Sequence, residues 1–312
     1  MTAPSSADRL EPQVAPVGPL HVLIVGPSEL PAVAAEAARL DSLLATRGHR
    51  VSRRLAPRSA WEQREGRPAE RLDLVIVLGG DGSILRTARW MGYEQVPVLG
   101  INMGALGFLA DVSREDVAAA LDDILDGRFS RVDHLMLECE VVRAGAVVHR
   151  DLGLNEASIL AGPPFAMIEI GLHVDGELAT TYRGDGLIVS TPVGSTAYNL
   201  SAGGPIVRKD LDAFIFTPLN PHTLTNRPVI DSAAREYELV VPHPNAGSAC
   251  VVDGRVVAQL TAGDRIRVRR ATPRFTLIET RHHGYYRTLQ EKLSWGGRLR
   301  GAGPAAASGA AP

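Results

Sequence analysis

Leu74-Val75-Ile76-Val77-Leu78-Gly79-Gly80-Asp81-Gly82-Ser83 is the stretch whose reading decides the fold. Its five leading apolar residues have no polar face, as in a strand of a parallel sheet covered on both sides. The strand runs directly into glycines surrounding one aspartate, where a bare backbone lets a ligand approach closely. In an open α/β sheet the ligand sits beyond the carboxyl ends of the strands, which is where Asp81 falls. A carboxylate among phosphates repels them unless it accepts from a hydroxyl or holds a cation, and both tasks belong to phosphoryl transfer. The plainer reading, an Asp-Gly turn, does not need all of Gly79, Gly80 and Gly82.

Working outward, His21 to Val25 reads as a buried strand. Val33, Ala37, Leu40 and Leu44 recur at helical spacing over about Pro31 to Arg47, and Gly48 ends that helix. His49 to Leu55 fits a second strand and Ala56 to Arg71 a polar connection. Beyond the loop, Ile84 to Met91 reads as a helix, Val96 to Ile101 as a strand, and Ser113 to Leu125 as a helix with Ser113 and Asp116 in capping-box spacing. Strands alternating with helices predict a Rossmann-like α/β domain over residues 19–131.

From about Val132 the pattern changes to short runs divided by turn residues such as Asp175-Gly176 and Asp253-Gly254. Leu137 to Val142, Val147 to Leu152, Met167 to Val174, Glu177 to Tyr182, Leu187 to Ser190, Glu236 to Val241, Ala249 to Val252, Arg265 to Val268 and Arg274 to Ile278 read as strands. Residues 132–285 are therefore expected to form a β-rich, sandwich-like domain. Leu289 to Trp295 has helical character, and residues 286–300 are expected to pack back on the α/β domain. Residues 1–18 and 301–312, rich in Ala, Pro, Ser and Gly, are expected to be disordered.

Composition sets bounds on function. At 312 residues and 45% apolar, the chain can bury a substantial core, and a net charge of −2 offers no general basic field for nucleic acid. No run approaches a membrane span, and the N-terminus lacks a charged start followed by an apolar stretch, so a cytoplasmic protein without membrane or nucleic-acid partners is expected. Cys139 and Cys250 lack metal-ligand or redox-pair spacing and read as core. His134, His222, His282 and His283 show no metal-ligand spacing either, and no metal site is assigned to protein side chains. Neither of the two lysines, Lys209 and Lys292, follows a Gly-x-x-x-x-Gly run, so a Walker A loop is absent. Gly26-Pro27-Ser28 replaces the Gly-x-Gly-x-x-Gly of a dinucleotide-binding dehydrogenase.

A second glycine-rich stretch runs from Gly184-Asp185-Gly186 through Pro192-Val193-Gly194 to Ser195-Thr196-Ala197-Tyr198-Asn199-Leu200-Ser201-Ala202-Gly203-Gly204-Pro205. It places three hydroxyls and an aromatic face among small residues, which suits stacking and hydrogen bonding to a nucleotide. Asn155-Glu156 offers donor, acceptor and carboxylate between two strands, Asp185 fits either a ligand contact or a hairpin, and Arg86 and Arg183 suit phosphates or a solvated surface.

Gly79 to Ser83, Asn102-Met103-Gly104-Ala105-Leu106-Gly107-Phe108-Leu109, Leu154-Asn155-Glu156, Asp185 through Ile206, Thr217-Pro218-Leu219-Asn220-Pro221-His222 and Arg227-Pro228 together resemble the ordered motif set of the NAD kinases. The resemblance covers roughly residues 20 to 297. It implies phosphorylation of the 2′-hydroxyl of the adenosine ribose of NAD, with ATP or polyphosphate as donor and a divalent cation, magnesium, arriving with the donor. It also implies Asp81 as the catalytic carboxylate, and contacts to the dinucleotide from Gly82, Arg86, Phe108, Asn155, Glu156, Arg183, Asp185, Thr196, Ala197, Tyr198 and Ser201. A homodimer or homotetramer with sites near subunit boundaries is implied too. Ser83, Val193, His134 and Arg255 depart from the residues usual in the family. A lipid kinase of related fold would want an apolar entrance for acyl chains, and a nucleotide sensor would have little reason to keep Asp81.

Overall fold

Buried strands and amphipathic helices alternate through the first half. β1 (His21–Pro27) is buried along its whole length. α1 (Pro31–Thr46) starts on a proline, whose missing N–H costs nothing in a first turn, and buries Val33, Ala37, Leu40 and Leu44. β2 (Arg50–Ala56) is a polar edge strand, and β3 (Leu74–Gly79) is the continuously apolar run. α2 (Asp81–Met91), β4 (Val98–Asn102), α3 (Val117–Leu125) and β5 (Ser130–His134) follow. α2 begins three residues earlier than its apolar spacing suggests, directly at Asp81. α3 begins later: Ser113 and Asp116 hydrogen-bond each other in the turn that precedes it.

The second half contains β6 (Leu137–Arg143), β7 (Ala146–Gly153), β8 (Glu156–Leu160), β9 (Ile168–Val174), β10 (Glu177–Gly184), β11 (Gly186–Ser190) and the single turn α4 (Tyr198–Ser201). It continues with β12 (Ala213–Leu219), β13 (Val229–Ser232), β14 (Tyr237–Val240), β15 (Ala249–Val252), β16 (Arg255–Gln259), β17 (Arg265–Arg270), β18 (Phe275–Glu279) and α5 (Tyr285–Leu293). This computed structural model describes residues 18–57, 59–60, 71–104, 107–110, 112–223, 226–280 and 285–293. Outside the described residues lie all but Gly18 of the N-terminal segment 1–18 expected to be disordered, the tail 301–312, most of the 56–71 connection, and residues 294–300.

Among the described residues the strands form three six-stranded sheets. The first has the order β2-β1-β3-β4-β18-β5, parallel except where β18 meets β5. The order reverses between β1 and β3, so the crevice of this sheet opens beside the glycine-rich loop that follows β3. The other two sheets, β10-β9-β14-β17-β6-β7 and β13-β12-β11-β8-β15-β16, are antiparallel throughout and share one core containing Leu137, Ile159, Ile170, Leu187, Phe214, Tyr237 and Val268. The fold is a Rossmann-like α/β half plus a β-sandwich-like half.

The strand over Phe275–Glu279, read from sequence with the β-rich half, pairs instead with β4 and β5 of the first sheet. Phe275 and Leu277 are thereby buried in the core that contains Val75 and Val98. Both Asp-Gly turns are hairpins with positive φ at each residue, 50° and 88° at Asp175-Gly176 and 46° and 75° at Asp253-Gly254. Cys139 of β6 and Cys250 of β15 meet in the sandwich core with Sγ atoms 3.7 Å apart. Among the described residues no helix is long and apolar enough to cross a membrane.

Candidate active site

The glycine-rich loop ends β3 and starts α2. Gly80, the residue before the helix, has no side chain to cap it; Ser83 N–H donates to the Gly80 carbonyl at 2.8 Å, so an anion at this helix start would meet the N–H groups of Asp81 and Gly82. Asp81, the first helical residue, turns its carboxylate onto the 107–110 loop. Phe108 N–H donates to Oδ2 at 2.8 Å, and Leu109 and Ala110 N–H donate to Oδ1 at 2.9 and 3.1 Å. The approach requires glycine at 107, where a Cβ would collide with the Asp81 carboxylate. Both acceptor positions of Oδ1 are thus engaged, and one remains on Oδ2. Arg86, one turn on, folds back over Gly82 with Nη2 3.5 Å from Ser83 Oγ.

Asn155 and Glu156 are organised by a residue that the sequence presents only as a hairpin turn. The carboxylate of the half-buried Asp253 accepts from Leu154 N–H at 2.9 Å through Oδ2, and from Asn155 and Glu156 N–H at 2.8 and 3.1 Å through Oδ1. Burial pushes its pKa up, while the three N–H groups and the Arg89 charge pull it back. Arg89 of α2 also donates to the Asp253 carbonyl at 3.3 Å, tying this hairpin to the helix that carries Asp81. Only the Asp-Gly dipeptide hints at any of this in the sequence.

Glu156 is almost completely buried, and among the described residues its Oε2 has no hydrogen-bond partner. Burial, with the Asp253 charge adding to it, raises its carboxyl to about 8, so at neutral pH Glu156 holds a proton and can donate. Because the folded pKa lies above the unfolded value of about 4.3, its contribution to stability is complete below that value and is lost as pH rises through 8. Glu156→Gln, which cannot ionise, is therefore expected to gain on the parent protein between pH 5 and 9, by roughly 2–4 kcal/mol at the upper end. Thermal unfolding of both proteins across that range checks this, and parallel curves would show that Glu156 stays charged.

The 190–205 loop packs beside the same segment. Thr191 N–H donates to the Asn155 carbonyl at 2.8 Å, Thr191 Oγ1 donates to the Leu154 carbonyl at 2.6 Å, and a Cβ on Gly194 would strike the Asn155 carbonyl. Not every polar group here is available to a ligand. Ser195 is buried, with Oγ donating to the Pro192 carbonyl at 2.6 Å and accepting from Val207 N–H at 3.1 Å. Asn199 is buried as well. Its Nδ2 reaches the Ser195 and Pro205 carbonyls, and its Oδ1 accepts from Thr217. Of the three hydroxyls in this stretch, Ser195 thus serves the loop itself. Thr196 and Ala197 are half-buried, Ser201 is exposed, and Tyr198 is 40% exposed.

One apolar cluster underlies these loops, combining Ile84 and Ala88 of α2 with Leu109, Ala110, Leu154 and Val193. It brings Asp81, Gly82, Arg86, Phe108, Asn155, Glu156 and the 191–198 loop around a common support. Arg183 and Asp185 are not gathered with them. Ser190 pairs with Glu156 at one end of β11, whereas Gly186 pairs with Leu160 at the other. Asp185 lies beyond that far end, about 16 Å along the strand. There Arg183 pairs with Glu169 at 2.6 Å and Asp185 accepts from Asn220 at 2.7 Å. Spacing in the sequence could not reveal that β11 separates the two ends of one motif.

Similarity to known proteins accords with this geometry. Residues 36–129 match the family model described as the ATP-NAD kinase N-terminal domain, and residues 154–280 match the ATP-NAD kinase C-terminal domain. The chain is 57% identical over 228 residues to an NAD kinase of Rhodopirellula baltica, covering 73% of each protein. It is 45% identical over 239 residues to an NAD kinase of Chromohalobacter salexigens, covering 76% of this chain and 82% of that one. Yeast NADH kinase complexed with NADH shares the fold, with a TM-score of 0.79 at 24% identity over 91% of this chain and 90% of that one. An Archaeoglobus fulgidus NAD kinase in complex with ATP superposes with a TM-score of 0.71 at 25% identity, over 88% of this chain and 99% of that one. Two matching domains in chain order, relatives of this identity and a shared architecture make the chain a member of the NAD kinase family of phosphotransferases.

Proposed function

We infer that this chain transfers the terminal phosphoryl group of ATP, or of polyphosphate, to the 2′-hydroxyl of the adenosine ribose of NAD, giving NADP. The observation that carries this reading is the Asp81 carboxylate, anchored by three N–H groups with one acceptor position left on Oδ2. Oδ2 accepts from the ribose hydroxyl and takes its proton as the new O–P bond forms and the bond to the leaving phosphate breaks. A loose transition state needs orientation of the hydroxyl more than a strong base, which suits a carboxylate.

The uncapped start of α2 and Gly82 meet the donor phosphates, with Arg86 one turn along. Asn155 and the protonated Glu156 hydrogen-bond ribose hydroxyls, and the exposed Tyr198 face stacks on a base beside Thr196, Ala197 and Ser201. Among the described residues no three His, Cys, Asp or Glu side chains gather as a metal cage. A magnesium ion would be held mainly by the donor's phosphates and water, as magnesium usually keeps several waters and few protein ligands. Such a cation would neutralise charge on the transferring group.

Arg183 and Asp185, at the far end of β11, join this reading in a homodimer or homotetramer in which a neighbouring copy brings that strand end to the site. A cytoplasmic location belongs to the same reading. The decisive experiment incubates purified protein with NAD, ATP and magnesium and scores NADP with an NADP-specific dehydrogenase, with polyphosphate and NADH substituted in parallel. Binding of NAD without product from any donor would favour a sensor, and absence of binding as well would reopen the lipid kinase. Tyr198→Ala is expected to raise the KM for NAD about tenfold with little change in kcat, since stacking on a base contributes about 1–3 kcal/mol. A change confined to the ATP dependence would reassign this loop to the donor.

A further inference from the structure

The two lysines of this chain, Lys209 and Lys292, both end on Phe108. Lys209, in the segment between α4 and β12, donates from Nζ to the Phe108 carbonyl at 2.9 Å. Lys292, in the last turn of α5, places Nζ 5.0 Å from the centroid of the Phe108 ring, within the range of a cation–π contact. Every other Lys or Arg position in the sequence is arginine.

Peptide geometry explains why this residue matters. The Phe108 carbonyl and the Leu109 N–H belong to one planar trans unit and point in opposite directions. Lys209 holds the carbonyl end, and from the other end Leu109 N–H reaches Asp81 Oδ1 at 2.9 Å. An ammonium on the carbonyl polarises the unit and strengthens its N–H as a donor. The preceding peptide supplies Phe108 N–H to Oδ2 at 2.8 Å. Leu109 and Ala110 are fixed by burial, whereas Phe108 is only half-buried and lacks that restraint. Lys209 is itself anchored, because its carbonyl accepts from Nδ1 of the fully buried His134 at 3.3 Å. Burial, with the Lys209 charge adding, lowers that imidazole to about 4 and keeps it neutral.

We propose that Lys209 and Lys292 are positioning residues for phosphoryl transfer, clamping Phe108 so that the 107–110 loop holds Asp81 with Oδ2 toward the acceptor hydroxyl. The proposal rests on the reading of Asp81 as the transfer carboxylate. It gives α5 a part in turnover although that helix supplies no group to the reacting atoms.

The test compares Lys209→Met, Lys292→Met and the charge-keeping Lys209→Arg by steady-state NADP formation and by hydrogen–deuterium exchange over residues 107–110. Lys209→Met is expected to lower kcat about tenfold and Lys292→Met about threefold, with the KM for NAD within about twofold. Lys209→Arg should recover most of the loss. In an Asp81→Asn background, Lys209→Met should cost less than about twofold, because the two act as a unit. Exchange over 107–110 should accelerate about tenfold in Lys209→Met and measurably in Lys292→Met. Unchanged exchange in both Met variants, a full additive loss in the Asp81→Asn background, or a rise in KM at constant kcat would each overturn the clamp. A parent protein that makes no NADP overturns the reading of the site instead, and the exchange measurement then decides the clamp by itself.

Discussion

Asp81→Asn is expected to lower kcat by about three orders of magnitude while NAD affinity stays within several-fold. In the proposed reaction the carboxylate has two separable duties. Oδ1 accepts two N–H groups of the 107–110 loop, and Oδ2 accepts one and keeps a free position for the substrate hydroxyl. An asparagine can keep only one of its two terminal atoms as an acceptor. In the better orientation its oxygen replaces Oδ1, and its NH2 then faces the Phe108 N–H and the hydroxyl that should give up a proton. The proton acceptor is lost, and the loop is repelled at one point rather than released at all three. Turnover and NAD affinity, measured on protein whose unfolding temperature has been checked, test the assignment. Near-normal turnover would remove Asp81 from the reaction.

The second large effect is expected at Asp253. Asp253→Asn should destabilise the protein by about 2–4 kcal/mol and raise the KM for NAD severalfold. Asparagine tolerates the positive φ of 46° at this position, so the hairpin itself survives and the substitution isolates the hydrogen bonds. Three N–H groups converge on the two carboxylate oxygens, and an amide must turn its NH2 toward at least one of them inside the protein. The segment that loses its anchor carries Asn155 and Glu156, the residues proposed to meet the ribose, which is why both stability and KM are expected to change. Denaturant unfolding together with NAD titration measures both, and a variant as stable as the parent with unchanged KM would show that the 154–156 backbone needs no such anchor.

Several elements were legible for simple reasons. The apolar run at 74–78 and the helical periodicity at Val33, Ala37, Leu40 and Leu44 declare themselves because all the residues that form each pattern are neighbours in the chain. The two Asp-Gly hairpins are equally local. Other strands were missed because their pattern is not local. β8 carries Glu156 and Ser158 in a central, buried strand, where hydrogen bonding and desolvation rather than alternation determine what is tolerated. β12 contains Pro218, which ordinarily argues against an interior strand, yet pairs on both sides. β13 is a four-residue edge with Val229 and Ile230 exposed, and β5 and β18 belong to the first sheet only because they find each other across more than 130 residues of chain.

By itself the sequence determined the alternation that builds the α/β half, the β-rich character of the rest, the glycine-rich loop with Asp81, and the motif order of the family. These are properties of residue type and short-range spacing. Tertiary structure alone decided that Asp253 holds Asn155 and Glu156, that Ser195 and Asn199 serve their own loop, that Arg183 and Asp185 sit a strand's length from the cluster, and that both lysines close on Phe108. The physical reason is that hydrogen bonds, burial and charge pairing depend on distances between segments that the chain keeps far apart. Such distances exist only once the sheets have paired.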